Sequence, residues 1–200
     1  MKKRVLSIIN NILLYAILIL TLIYLPLINE PLNSIASNLA FFVIFFICKK
    51  VFKLSEFEFF LLLVSFYLGF IGNKFAFGLY YKWSYYDKVT HFVSWLFITI
   101  IVMIKLDEIL PEKYRIEKYL IGFFGGLGIA GFWEIDEYLG KIFFNTAEQG
   151  VYNTQGVLLM GSFQDTMLDM IFTSFGAMAA IFIYIIYKKI KNDILWRRNI

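Results

Sequence analysis

The sequence has few polar residues and very few cysteines, histidines and prolines. One Cys, one His and three Pro occur in 200 residues, and charged residues make up only 17% of the chain, where about 25% is usual in soluble proteins. The single cysteine, Cys48, excludes an intrachain disulfide framework. The composition also excludes a disordered chain, a collagen and a coiled coil. The sequence contains no nucleophile elbow, no HExxH and no CxxC motif.

Apolar residues dominate the composition of the chain. Hydrophobic residues make up 60% and aromatic residues 20% of the chain, with 23 Phe and 13 Tyr. The mean hydropathy is +0.71. A soluble globule of this size cannot bury so much apolar surface. The predicted fold class is therefore all-α, a polytopic transmembrane helical bundle with the lipid bilayer as its partner.

A membrane-spanning helix needs about 20 mostly apolar residues. Six segments meet this requirement or nearly meet it. They are residues 5–28, 35–52, 57–72, 88–104, 118–139 and 164–187. Short polar linkers separate most of them and no repeat is present, so residues 1–200 are predicted to form a single integral membrane domain. The first apolar run is too long for a signal peptide and lacks a cleavage site, so we expect it to be retained as the first helix.

The basic residues alternate between the two sides of this predicted bundle. Four of the 19 fall on one side: Lys74, Lys82, Lys88 and Lys141. The other 15 fall on the opposite side: Lys2, Lys3, Arg4, Lys49, Lys50, Lys53, Lys105, Lys113, Arg115, Lys118, Lys188, Lys189, Lys191, Arg197 and Arg198. The positive-inside rule makes the second side cytoplasmic, with both termini on it. The net charge of +4 is then a topology signal, and no nucleic-acid partner is expected.

Three pairs of polar residues stand at the ends of the last three predicted spans, and in each pair the residues are three or four positions apart. They are Asp87 with His91, Glu134 with Glu137, and Asp165 with Asp169. Residues at this spacing share a helix face. In the predicted orientation all three pairs lie near the outer surface, in a layer roughly 10 Å thick.

Carboxylates with one imidazole are ligands for a divalent metal such as Mg²⁺, Mn²⁺, Zn²⁺ or Fe²⁺, and carboxylate-rich bundles can hold two ions. The six paired residues are therefore the predicted metal ligands. Glu134 and Glu137 are also candidate catalytic carboxylates, since the dipole at a helix C-terminus disfavours their charge. The alternative is that these acids face water, with Asp87 and Asp165 as N-caps. The direction of Lys88 is left open.

Two further features belong to the same half of the chain. Residues 140–163 are predicted to form a long outer loop, of a length often found in functional or mobile loops. Glycines crowd the fifth predicted span, at Gly122, Gly125, Gly126, Gly128 and Gly131. Small residues let helix backbones approach closely, so we expect tight packing there. No GK[ST] sequence follows, which excludes a phosphate loop.

Four short motifs in this half resemble those of a known family. YDKVTHF at 86–92 resembles an Asp-x-x-x-His signature, and WEIDEY at 133–138 resembles a Glu-x-x-Glu signature. TQG at 154–156, followed by DTMLDM at 165–170, resembles the family's TQG and Asp-Thr-x-x-Asp-Met signature. Together, over about residues 85–180, they resemble the YjdF-like group of predicted bacterial inner-membrane proteins; the first three helices match only in hydrophobic character. The resemblance implies an inner-membrane location and adds Thr154, Gln155 and Gly156 to the site. It sets Asp136 apart from the glutamates beside it, and it implies no reaction.

Three functions are compatible with this sequence. The first is a metal-dependent hydrolase or transferase acting on a lipid or lipid-linked substrate at the outer leaflet. The second is a small transporter, which the sequence disfavours because transport sites usually lie near the midplane and the inner half shows no matching ionisable group. The third is a non-catalytic membrane module that uses the acid cluster for structure or partner binding. The sequence leaves the substrate, the metal and the oligomeric state open.

Overall fold

The computed structural model describes residues 2–24, 32–72, 79–83, 85–144, 151–152 and 158–198, and almost all of them are helical. The helices are α1 (Lys2–Ile19), α2 (Leu32–Val51), α3 (Glu56–Gly72), α4 (Leu79–Lys82), α5 (Tyr86–Ile109), α6 (Arg115–Phe144) and α7 (Ser162–Arg198). A π-helical segment, Leu20–Tyr24, continues α1, and a 3₁₀ turn, Glu112–Tyr114, precedes α6. Two short strands, β1 (Val151–Tyr152) and β2 (Leu158–Met160), lie between α6 and α7.

The six long helices fall on the six predicted apolar segments, so the helical fold class is confirmed. Three of them, within the described residues, are long and apolar enough to cross a membrane: Arg4–Ile23, Tyr86–Ile109 and Ser162–Lys191. The helix α6 continues to Phe144, because Gly140 is followed by Lys, Ile and two Phe, which favour helix more than a turn. The helix α7 begins at Ser162. The loop predicted at 140–163 is therefore shorter than expected at both ends.

The chain divides into two compact units, the first built from α1 to α4 and the second from α5 to α7. The core of the first unit joins Leu14 and Ile17 of α1, Phe45 of α2, and Phe59 and Leu63 of α3. These large apolar side chains are spaced three or four residues apart on α1 and α3, so each helix presents one apolar face to the core.

The start of α3 is fixed by a capping box. The backbone N–H of Ser55 donates to Oε2 of Glu58 at 2.5 Å, and the backbone N–H of Glu58 donates to Oγ of Ser55 at 3.3 Å. This reciprocal pair satisfies two backbone donors at the helix N-terminus. The buried Asn10 links α1 to the same turn. Its Nδ2 donates to both the backbone carbonyl and the Oε2 of Glu56, each at 2.8 Å.

The second unit packs three helices closely at a few small residues. A Cβ at Gly176 of α7 would overlap the carbonyl oxygen of Phe92, and a Cβ at Gly126 of α6 would come within 2.8 Å of Oγ1 of Thr99. A Cβ at Gly122 would likewise press on Sδ of Met103. The close packing predicted from the α6 glycines is thus confirmed at Gly122 and Gly126.

The same prediction is wrong for the other three glycines of α6. A Cβ at Gly125, Gly128 or Gly131 would meet nothing within 4 Å. At 3.6 residues per turn, Gly128 and Gly131 lie on the far side of the helix from Gly122 and Gly126, and Gly125 lies at the flank of the contacting face. The single membrane domain predicted for the whole chain stays a prediction.

Candidate functional site

Lys88 lies at the centre of the acidic residues in the second unit. Its side chain is 1% exposed, and its Nζ donates to Oδ2 of Asp87 at 2.9 Å and to Oδ1 of Asp169 at 2.7 Å. It also donates to Oδ1 of Asp165. A buried ammonium is tolerated where it is paired and hydrogen-bonded. The sequence leaves the direction of Lys88 open, and the structure shows that its ammonium points into the helix bundle of the second unit, toward three carboxylates.

Helix geometry explains how three aspartates reach one ammonium. Asp87 precedes Lys88 in the first turn of α5. Asp165 and Asp169 lie one turn apart at the start of α7, so both side chains point from the same face of that helix. They are 5% and 2% exposed. Asp165 and Asp169 therefore have Lys88 as their common partner, and their role as metal ligands stays a prediction.

His91 lies one turn further along α5 and faces the same acids. Its Nε2 is 3.7 Å from Oδ1 of Asp87, 3.8 Å from Oδ1 of Asp169 and 3.9 Å from Oε1 of Glu134. These distances exceed those of hydrogen bonds. They place one carboxylate oxygen from each of the three helices around a single ring nitrogen.

The other nitrogen of the His91 ring contacts α7. Oγ1 of Thr173 lies 3.5 Å from Nδ1, and the side chain of Thr173 is fully buried. Histidines that bind metals commonly use one ring nitrogen for the ion and the other for such a neighbour. The Thr173 contact therefore orients Nε2 toward the acids.

The donor atoms of this group are close enough to hold a metal ion. Asp87, His91 and Asp169 each offer one ligand atom, and these three atoms lie within 4.8 Å of one another. Two carboxylate oxygens and one imidazole nitrogen suit a divalent cation of the Mg²⁺, Mn²⁺ or Zn²⁺ type. We call Asp87, Lys88, His91, Glu134, Asp165 and Asp169 the Lys88 cluster.

The two predicted glutamates have different surroundings. Glu134 is buried at 6% exposure and reaches the Lys88 cluster. Glu137, three residues later, accepts a hydrogen bond from Nε1 of Trp133 at 2.6 Å through its Oε1. Asp136 between them, which the family resemblance sets apart from the glutamates, is exposed. Thr154, Gln155 and Gly156, the other predicted site residues, lie outside the described residues.

The sequence did not single out Lys88 or Thr173 as members of the site. Helical spacing carries a signal for both, because Lys88 is three residues before His91 and Thr173 is four residues after Asp169. Each therefore shares a helix face with a predicted ligand.

A second group of charges lies at the other end of the same three helices. Asp107 of α5 accepts hydrogen bonds from Nζ of Lys118 at 2.7 Å and from Nζ of Lys188 at 2.5 Å. The hydroxyl of Tyr184 donates to it as well, and Lys188 also lies 3.4 Å from Glu112. We call these five residues the Asp107 cluster.

The Asp107 cluster corrects one expectation. The helix ends that are predicted to be the inner ones do carry ionisable groups that pair across helices, so the absence of such groups does not count against a transporter. From the sequence, Lys118 and Lys188 are orientation signals only, because nothing local indicates that both converge on Asp107. Lys118 is only 2% exposed, so it is a packed, paired charge.

Comparison with known proteins places the chain in a family. Residues 7–190 match the family described as predicted membrane protein, DUF2238. The chain belongs to this family. The match confirms the resemblance to the YjdF-like membrane proteins and extends it to residues 7–84, which had matched only in hydrophobic character. No curated protein and no solved structure matches the chain.

Proposed function

We propose that this DUF2238 member is an inner-membrane protein of bacteria with six spans and both termini in the cytoplasm. The distribution of 15 of the 19 basic residues on one side supports this topology. So does the spacing of the two charged clusters: Lys88 and Asp107 are 19 residues apart on α5, or about 29 Å along the axis. The hydrocarbon layer is roughly 30 Å thick.

Cysteine labelling tests this topology. In a Cys48→Ser background, a membrane-impermeant maleimide applied to intact protoplasts is expected to label a cysteine that replaces Lys82. It is expected to leave a cysteine that replaces Lys113 unlabelled until the membrane is permeabilised. Both lysines are exposed, so burial within the protein does not limit labelling. Labelling of the second position alone would reverse the proposed orientation.

For the site, we propose that the Lys88 cluster binds a divalent cation between Nε2 of His91 and the surrounding carboxylates. One observation carries this proposal: oxygens of Asp87, Glu134 and Asp169 lie 3.7 to 3.9 Å from that nitrogen. Such gaps are too long for direct hydrogen bonds and fit an ion with ligand bonds of about 2.0–2.6 Å.

The charge balance of the Lys88 cluster also favours a bound cation. Four carboxylates, those of Asp87, Glu134, Asp165 and Asp169, face one ammonium, that of Lys88. Negative charge held away from water is costly unless a cation offsets it. A divalent ion next to His91 would reduce this imbalance where Lys88 does not reach.

We further propose that the bound cation serves a hydrolase or transferase acting on a lipid or lipid-linked substrate in the outer leaflet. A divalent ion there would polarise a phosphoryl or carbonyl oxygen and lower the pKa of a bound water. Glu134, beside the ion, is the candidate general base, and Glu137 is the second candidate. Both lie toward the end of α6, in the layer that the topology assigns to the outer leaflet.

Binding of Mn²⁺ to the purified full-length protein tests the site, and it can be followed by electron paramagnetic resonance. We expect His91→Gln to weaken binding by more than about 100-fold, since even changes around a ligand commonly cost 10–100-fold. The matched control is Asp136→Asn, which removes an exposed acid of the same region and is expected to bind like the parent. Equal binding by the parent and His91→Gln would contradict the proposed site.

The reaction is tested separately from the binding. The protein is incubated with phospholipids and with polyprenyl-linked phosphates, with Mn²⁺ or with chelator. Product that forms only with Mn²⁺, and that Glu134→Gln abolishes, supports the enzyme. Normal Mn²⁺ binding with no product from either lipid class would remove the reaction and leave a cation-binding membrane protein.

A non-catalytic module is the second candidate, and the hydrogen bonds of Lys88 favour it. Three aspartates on two helices saturate one ammonium, which is an arrangement that can hold α5 against α7 with no reaction. Thermal unfolding with and without chelator separates the two candidates. A large cation-dependent shift with no turnover on any lipid would favour the structural role.

A further inference from the structure

We propose that the Lys88 ammonium fills one of two cation positions in the Lys88 cluster, so that the centre accepts one mobile cation fewer than its carboxylates could hold. The inference deepens the proposed function, because the remaining position is the one next to His91. It assigns Lys88 the role of setting how many ions bind.

Oxygen atoms surround Nζ of Lys88. Oxygens of Asp87, Asp165 and Asp169 all lie at hydrogen-bond distance from it, and the backbone carbonyl of Asp165 lies at 3.5 Å. Three carboxylates and a carbonyl are the ligand types that Mg²⁺, Mn²⁺ and Ca²⁺ use. The ammonium thus lies inside a shell of oxygens that would also suit a metal ion.

Asp87 and Asp169 each face both Lys88 and His91. Asp87 directs Oδ2 to Lys88 at 2.9 Å and Oδ1 toward Nε2 of His91 at 3.7 Å. Asp169 directs Oδ1 to both, at 2.7 Å from Nζ of Lys88 and 3.8 Å from Nε2 of His91. Two carboxylates therefore bridge two neighbouring positions. Bridging carboxylates are typical of centres that hold two metal ions.

Lys88 fills one of the two cation positions permanently. The ammonium is covalently attached, its side chain is 1% exposed, and no chelator removes it. It also contributes one positive charge where a divalent ion would contribute two, so the carboxylates retain more negative charge for the ion beside His91. Lys88 is therefore a positioning residue that fixes both the number of ions and the charge they meet.

Two variants of Lys88 test this inference through the number of Mn²⁺ ions bound per chain. Lys88→Ala removes the ammonium and leaves room in the oxygen shell, and it is expected to bind one Mn²⁺ more than the parent chain. Lys88→Met removes the charge but keeps a side chain of similar length in the same place, and it is expected to bind no additional ion. Lys118→Ala is the matched control, because Lys118 is another buried lysine whose partner, Asp107, keeps Lys188.

Thermal unfolding gives a second readout on the same proteins. Lys88→Ala is expected to unfold at a lower temperature than the parent in chelator and to regain about 5–10 °C at Mn²⁺ levels near 100 times the dissociation constant. This gain is expected to exceed the gain of the parent. Lys88→Met and Lys118→Ala are expected to gain no more from Mn²⁺ than the parent does.

The outcomes separate this inference from the proposed function. If the parent binds no Mn²⁺ while Lys88→Ala binds one, the His91 site fails and the role of Lys88 stands. If the parent and Lys88→Ala bind the same number of ions, the role of Lys88 is overturned, whatever that number is. A Lys88→Ala chain that stays unfolded both with and without Mn²⁺ also overturns it, because the mobile ion then cannot replace the ammonium.

Discussion

Thr173 and His91 lie on different helices, and Oγ1 of Thr173 is 3.5 Å from Nδ1 of the His91 ring. The contact fixes which ring nitrogen is turned toward the acids. It is the kind of contact around a ligand that orients the ligand more than it binds the ion.

We therefore expect Thr173→Val to weaken Mn²⁺ binding by about 10–100-fold while the protein still folds. Valine has nearly the same shape but cannot hydrogen-bond the ring, so the imidazole loses its orientation. Binding is measured by titration with Mn²⁺ on the purified protein. The control is Thr99→Val, which removes a buried hydroxyl of α5 that lies against Gly126 of α6. If both variants bind like the parent, Thr173 does not orient the histidine.

Thr99→Val is itself a prediction about stability. Within the described residues, Oγ1 of Thr99 is buried without a hydrogen-bond partner. A buried unsatisfied hydroxyl costs roughly 1–3 kcal/mol, so an apolar group of the same shape is expected to leave the free energy of unfolding unchanged or to raise it by about 1 kcal/mol. Unfolding in detergent measures this. A loss above about 1 kcal/mol would show that the hydroxyl has a bonding role.

Gly176→Ala is expected to destabilise the second unit strongly. The added Cβ would overlap the carbonyl oxygen of Phe92 and lie 3.2 Å from the backbone nitrogen of Leu96, and backbone atoms cannot move aside as a side chain can. Overpacking of this kind costs typically 1–3 kcal/mol or more. The matched control is Gly125→Ala, where a Cβ meets nothing within 4 Å and alanine is the better helix former. Similar unfolding temperatures for the two variants would contradict the close approach of α7 to α5.

Asp107→Asn is expected to cost about 2–4 kcal/mol of unfolding free energy, because it removes the 2.7 Å carboxylate partner of the buried Lys118 and leaves only the longer 3.8 Å pair with the exposed Glu112. The control is Glu108→Gln on the same helix. Glu108 forms a 3.0 Å pair with Lys105, but its side chain is 57% exposed, and exposed pairs contribute under about 1 kcal/mol. Equal losses in the two variants would show that the Asp107 cluster acts as an ordinary surface pair.

The sequence predicted which site residues share a helix face better than it predicted the contacts between helices. Helical spacing placed Asp165 beside Asp169 and Asp87 beside His91, because those relationships depend on the geometry of one helix. The direction of Lys88 depends on carboxylates 77 and 81 residues away, and no local rule contains that information. The same limit applies to Asp107, whose partners lie on two other helices.

The glycines of α6 show a second limit. Five small residues predict a close helix contact, but only the face that carries Gly122 and Gly126 has one. Which face meets a neighbour depends on how a helix is rotated about its axis. Packing against α5 and α7 decides that rotation, and the spacing of the glycines in the sequence does not.

The positions of the two charged clusters also limit how the second unit can respond to its bilayer. Lys88 near one end of α5 and Asp107 near the other are each bonded to α7, through Asp165 and Asp169 at one end and Lys188 at the other. Sliding α5 along α7 by a single turn would pull both charges away from their partners at once. A helix that cannot slide cannot adjust its own apolar length to a thinner or thicker membrane. These helices therefore meet a change in bilayer thickness together, by tilting as one body or by deforming the lipid around them.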